Sequence, residues 1–100
     1  MERFYIQDAT LMGYGFRRTQ IDEDATRRYV CFEMQIDSVS TITVTYTYQF
    51  NDNGLWFLTT SRIELIADGI EVPTRACSLD DLNQLYRLLS GKELEEVHHD

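Results

Sequence analysis

The segment Thr41-Ile42-Thr43-Val44-Thr45-Tyr46-Thr47-Tyr48-Gln49-Phe50 alternates without a break. Ile42, Val44, Tyr46, Tyr48 and Phe50 fall on one side, and the threonines with Gln49 fall on the other. Successive side chains of a strand point to opposite faces, so this pattern predicts a strand with one face buried. Its β-branched and aromatic residues pack well on a pleated surface. Asn51-Asp52-Asn53-Gly54 follows with hairpin chemistry, and the chain is expected to return as Leu55–Ala67. The alternation slips phase between Trp56/Leu58 and Ile63/Leu65, which predicts a β-bulge near Thr60-Ser61.

On the N-terminal side, Arg28–Asp37 sets Val30, Phe32, Met34 and Ile36 against Tyr29, Cys31, Glu33 and Gln35, a second half-buried strand. Residues 11–20 are expected to pair with it. Gly13 and Gly15 around Tyr14 mark a bulge or bend there. Arg3–Gln7, with Phe4 and Ile6 on one face, predicts a first strand. On the C-terminal side, Asp68-Gly69 is a two-residue turn signal, Ile70–Val72 a short edge strand, and Pro73 its end. Ser78 then has the chemistry of an N-cap. Asp81 is placed to reach back, and Asp80 and Asp81 suit the positive helix end. Leu79, Leu82, Leu85, Leu88 and Leu89 form an apolar stripe, and Gly91 closes the helix. Residues 92–97 predict one more helical turn. The expected fold is a single α+β domain over residues 1–100. It is an antiparallel meander of five or six strands with one C-terminal helix packed across it, and a partly closed barrel plugged by that helix satisfies the same pattern.

Composition narrows the function classes. The chain has 100 residues, 43% of them hydrophobic and 26% charged, with a formal net charge of −8 and a pI near 4.6. Such a charge disfavours direct contact with nucleic acid, which needs a basic footprint, and favours a basic protein partner. No apolar run approaches a membrane span, and the first residues lack the apolar core of a signal peptide. The expectation is a cytoplasmic protein in which Cys31 and Cys77 are reduced thiols.

No set of residues predicts catalysis. A hydrolytic nucleophile needs an oriented base, and the two histidines, His98 and His99, are at the extreme C-terminus. Glu95 with His98 or His99 has the spacing of a metal-sharing pair on a helix, but a metal site needs three or four ligands and supporting hydrogen bonds. The acidic pairs stand at expected turns and helix ends, where capping and solvation account for them. No cofactor is expected. The candidates that remain are contact residues for a protein. Arg17, Arg18, Arg27 and Arg28 are expected near the tip of one hairpin, with Asp22, Glu23 and Asp24 in the loop and Tyr29 beside them. Asp80, Asp81, Glu93, Glu95 and Glu96 form the acidic group at the helix. The threonine row, with Tyr29 as an anchor, gives a flat, weakly charged sheet face suited to recognition.

An acidic one-domain chain with strands first and a terminal helix resembles, in general character, small inhibitor proteins such as phage antagonists of bacterial defence and bacterial immunity proteins. No specific motif carries that resemblance. It implies a non-enzymatic protein that binds a partner, in its sharpest form an inhibitor occupying a basic, nucleic-acid-binding surface. Two other roles fit the same sequence. One is a structural or homo-oligomeric module in which the short edge strand Ile70–Val72, or the exposed threonine and tyrosine face, pairs two copies. The other is a small-ligand carrier with a pocket lined by Tyr46, Tyr48 and Trp56.

Overall fold

A computed structural model describes residues 4–96. In chain order the elements are α1 (Asp8–Gly13), β1 (Arg17–Glu23), β2 (Arg27–Gln35), β3 (Ser40–Phe50), β4 (Trp56–Ala67), β5 (Ile70–Pro73) and α2 (Leu79–Ser90). The five strands form one antiparallel meander in the order β1-β2-β3-β4-β5. β1 and β5 are its two edges, so the sheet is open and the barrel alternative does not hold.

The long alternating segment occupies the centre of the sheet. β3 pairs with β2 from Arg27↔Gln49 to Gln35↔Thr41 and with β4 from Ser40↔Ala67 to Phe50↔Trp56. One residue, Thr59, is extra between Thr47↔Thr60 and Tyr48↔Leu58. That is the expected bulge, one residue earlier than its phase slip indicated, and the Thr59 hydroxyl donates to the Thr47 carbonyl at 3.0 Å. Asn51 builds the β3–β4 turn by accepting from the backbone N–H groups of Asn53 and Leu55. Asp68 and Gly69 both have positive φ (52° and 77°), the backbone that a two-residue hairpin requires.

The core lies on one face of the sheet. Val30, Phe32, Ile42, Val44, Tyr46 and Ile63 project into it and meet Ile6, Leu11, Phe16 and Leu82 from outside the sheet. Helix α2 forms as its sequence predicts. Ser78 accepts from the Asp81 N–H, Asp81 accepts from the Cys77 N–H, and Gly91 closes the helix in the left-handed region. The buried stripe differs at one position. Leu79, Leu82, Leu85, Tyr86 and Leu89 face the core, whereas Leu88 is 84% exposed. At 100° per residue, position 88 lies some 120° from Leu82, and Tyr86 takes the place assigned to it.

Two expectations fail at the N-terminus. Residues 4–7 are not a strand, and Arg3, its expected first residue, lies outside the described residues. The Phe4/Ile6 alternation is real, because Ile6 is buried and Phe4 half-buried. The backbone, however, bonds to side chains: Phe4 N–H donates to Ser61 Oγ at 2.9 Å, and Ile6 N–H donates to the Tyr46 hydroxyl at 3.0 Å. Residues 11–20 are not one strand either. Asp8–Gly13 is a short helix that ends in a Schellman motif. Gly15, at φ 100°, donates to the Met12 carbonyl and Phe16 to the Leu11 carbonyl, both at 3.0 Å. Phe16 and Leu11 are themselves buried. The glycine that read as a strand bulge is a helix stop, and β1 begins only at Arg17.

Candidate functional site

The strand register sorts every sheet residue onto one of two faces, because directly opposed residues share a side. Ile6, α1 and α2 all pack on the core face, so among the described residues the other, outer face carries the sheet's own side chains, of which Cys31 and Thr43 are buried. Its rows read Arg17–Glu33–Thr43–Glu64, Gln20–Cys31–Thr45–Arg62, Asp22–Tyr29–Thr47–Thr60 and Arg27–Gln49–Phe57. The sheet edge adds Gln35, Thr41, Ile66 and Glu71. With nine residues in β2, five strands ~4.8 Å apart and a rise of ~3.3 Å per residue, the face covers roughly 600–700 Å². A partner contributes about 800 Å² to a standard protein interface.

The charges on this face nearly balance. Arg17, Arg27 and Arg62 oppose Asp22, Glu33, Glu64 and Glu71, and Arg62 pairs with Glu64 at 3.6 Å. Tyr29 and Cys31 sit in the middle. Burial raises the Tyr29 hydroxyl pKa, with further contributions from Cys31, Glu71 and Asp22. Glu71 belongs to β5, three strands from β2 in the sheet order. Burial also pushes the Cys31 thiol up, against hydrogen bonds from Thr19 and Tyr29 that lower it. A thiol held in its neutral form is a packing group rather than a nucleophile.

The four candidate arginines do not gather. Arg27 and Arg28 stand at the β1–β2 turn, while Arg17 lies opposite Glu33 and Arg18 opposite Phe32 at the other end of the hairpin. The cause is the length of β1: it runs on through Glu23, so Asp22 and Glu23, expected in the loop, are strand residues paired with Tyr29 and Arg28, and the turn is confined to Asp24–Thr26. Asp24 builds that turn by accepting from the N–H groups of Thr26 and Arg27, both at 2.8 Å, and these bonds hold its carboxyl below the ordinary aspartate range. Arg28 is on the core face. Its Nε lies 3.8 Å from Glu23, an ion pair without a hydrogen bond, and its guanidinium lies 6.0 Å from the Tyr48 ring centre.

The acidic candidates are partly brought together. Residues 92–96 are not helical. They turn back along α2: Glu93 pairs with Arg87, and Leu94 N–H donates to Asn83 Oδ1 at 3.0 Å. Glu95 and Glu96 follow Leu94, both exposed. Asp81 is occupied as the cap, and Glu93 is neutralised by Arg87. His98 and His99 lie outside the described residues, and among the described residues no three His, Cys, Asp or Glu side chains are grouped for a metal ion.

One groove, ≈ 690 Å³ in volume, runs between β4, β5 and the 73–77 connection. Phe4, Ile63, Pro73 and Ala76 give it apolar walls, and Arg62, Glu64, Glu71 and Arg75 give it charge. Tyr46, Tyr48 and Trp56, the residues expected to line a carrier pocket, are not in its lining. Tyr46 is fully buried under Phe4, Tyr5 and Phe32. The outer face carries residues that no sequence motif marked, among them Phe57, Arg62 and Glu64, although the phase of β4 after its bulge encodes the last two. No helix of the described residues is long and apolar enough to cross a membrane. No protein-family model matches the chain, and neither does any curated protein or solved structure.

Proposed function

We propose that this chain is a non-enzymatic protein that acts by binding a partner protein through the outer sheet face. The observation that carries this reading is the face itself: a nearly neutral surface of interface size, with Tyr29 near its centre, on which neither helix packs. The net charge of −8 resides mostly off this face, on turns and along α2, where it steers a basic partner without having to be desolvated at the contact. A basic, nucleic-acid-binding protein is the partner class that the charge fits, and occupying such a surface would inhibit it.

The test is affinity capture from the native host, at low and moderate salt, with three tagged forms. Wild type and Leu88→Ala should retain one stoichiometric protein. Tyr29→Ala combined with Thr47→Arg should lose it, because the pair removes the anchor and adds a buried charge. Retention of the same protein by the Tyr29/Thr47 form would remove the outer face from the account. A second reading, a small-ligand carrier, rests on the groove beside β5, whose volume lies in the range of ligand sites. It predicts a ligand-induced rise in melting temperature that Arg75→Ala abolishes.

A further inference from the structure

We infer that β1 is a self-complementary edge that pairs antiparallel with β1 of a second copy of this chain, joining two five-stranded sheets into one. Among the described residues β1 ends the sheet, with β2 as its strand neighbour, and all seven of its residues are exposed. A strand edge of this kind presents a row of backbone donors and acceptors to any chain that matches it.

The sequence of β1 restricts the match. It opens with Arg17-Arg18, closes with Asp22-Glu23, and is uncharged between them. Two copies laid antiparallel set the basic end of each against the acidic end of the other. Two copies laid parallel would oppose arginine to arginine and carboxylate to carboxylate, which is destabilising across a strand pair. Charged edges and bulges deter indiscriminate pairing, and this order of charges excludes the parallel arrangement while favouring the antiparallel one.

The faces select the register. Arg18, Ile21 and Glu23 lie opposite Phe32, Val30 and Arg28 and share the core side, whereas Gln20 and Asp22 lie opposite Cys31 and Tyr29 on the outer side. Thr19 is the extra residue of the bulge and takes up one position. A two-fold axis through Ile21 then places Ile21 against its own copy, Arg18 against Glu23 on the core side, and Gln20 against Asp22 on the outer side. Ile21 is 46% exposed in the single chain and gains an apolar partner. The axis stands perpendicular to the sheet, so both outer faces point the same way. This contact uses an edge and not a face, and it is independent of the partner-binding role proposed above. A single pair of strand edges buries less than the ~1,000 Å² typical of a stable interface, so the dimer is weak and concentration-dependent.

Sedimentation velocity of the pure full chain over a hundredfold concentration range tests this. Wild type should dimerise reversibly at the high end and return to monomer when salt is raised from 50 to 500 mM. Arg17→Glu/Arg18→Glu and Asp22→Lys/Glu23→Lys should each stay monomeric alone, since each opposes like charges. Mixed, they should form a 1:1 dimer at least tenfold tighter than either variant's self-association. A wild type that is monomeric throughout, a dimer indifferent to salt, or a dimer kept by both variants would overturn the inference.

Discussion

Tyr46 binds the N-terminal segment to the sheet. Its hydroxyl accepts from the Ile6 N–H and donates to the Ile6 carbonyl, both at 3.0 Å, and the side chain is fully buried. Tyr46→Phe leaves two buried backbone groups without that partner and should cost about 1–3 kcal/mol in urea unfolding, well beyond the cost of Tyr48→Phe. Burial raises the Tyr46 hydroxyl pKa far above its ordinary value. Its proton is therefore kept in the folded state after the unfolded chain has released its own. Stability from this group is complete below about pH 10 and falls as pH rises above it, and Tyr46→Phe should flatten that alkaline limb. Asp24, Asp37 and Asp81 act in the opposite sense. Backbone N–H donors hold each carboxyl below the ordinary aspartate range, so their contribution is present above about pH 4 and is lost as pH falls through the lower, folded values. Asp24→Asn with Asp81→Asn should reduce the slope of an acid titration monitored by circular dichroism. The burial of Tyr46 was legible from its place in the alternation. The destination of its hydroxyl was not, because Ile6 is 40 residues away and no local pattern links them.

At the scale of elements, strands whose two faces differ in polarity were legible, and segments bonded through side chains were not. β2, β3 and β4 announce themselves because one face is apolar and the other is not, so a slip of one residue would bury threonines and expose Tyr46. The Thr59 bulge showed as a break of phase for the same reason. The N-terminal segment carried a valid alternation but no ladder, and α1 is too short for a helical period to emerge from six residues. Gly13-Tyr14-Gly15-Phe16 held the needed signal, since a glycine followed by a buried aromatic fits a Schellman stop as well as a strand bend. Gly15→Ala should therefore destabilise the protein by about 1–2 kcal/mol, because alanine is strained at φ 100°. In α2, Leu82→Ala should cost ~2–5 kcal/mol, while Leu88→Ala should stay within about 0.5 kcal/mol, as their exposures of 0% and 84% require. Chemical denaturation of the three variants checks the helix stop at Gly15 and the assignment of the α2 faces.

At the scale of the whole molecule, the two sheet faces differ in what covers them. One is closed by α1, α2 and residues 4–7 around a single core. The other faces outward, and its threonine row was legible from the β3 alternation, whereas the separation of the four arginines depended on where β1 ends. The sites of the acids explain how a chain of net charge −8 can present a nearly neutral outer face. Partner association should accordingly slow with rising salt through its on-rate, while the dissociation rate changes little. The most direct test of the outer face is hydroxyl-radical footprinting of the free chain against the captured complex. Protection at Tyr29 and Phe57, with Tyr86 and Leu88 labelled as in the free chain, is the predicted result. Protection confined to α2 and the segment around Glu95 and Glu96, with Tyr29 and Phe57 unchanged, would contradict it and move the contact to the acidic side of the helix.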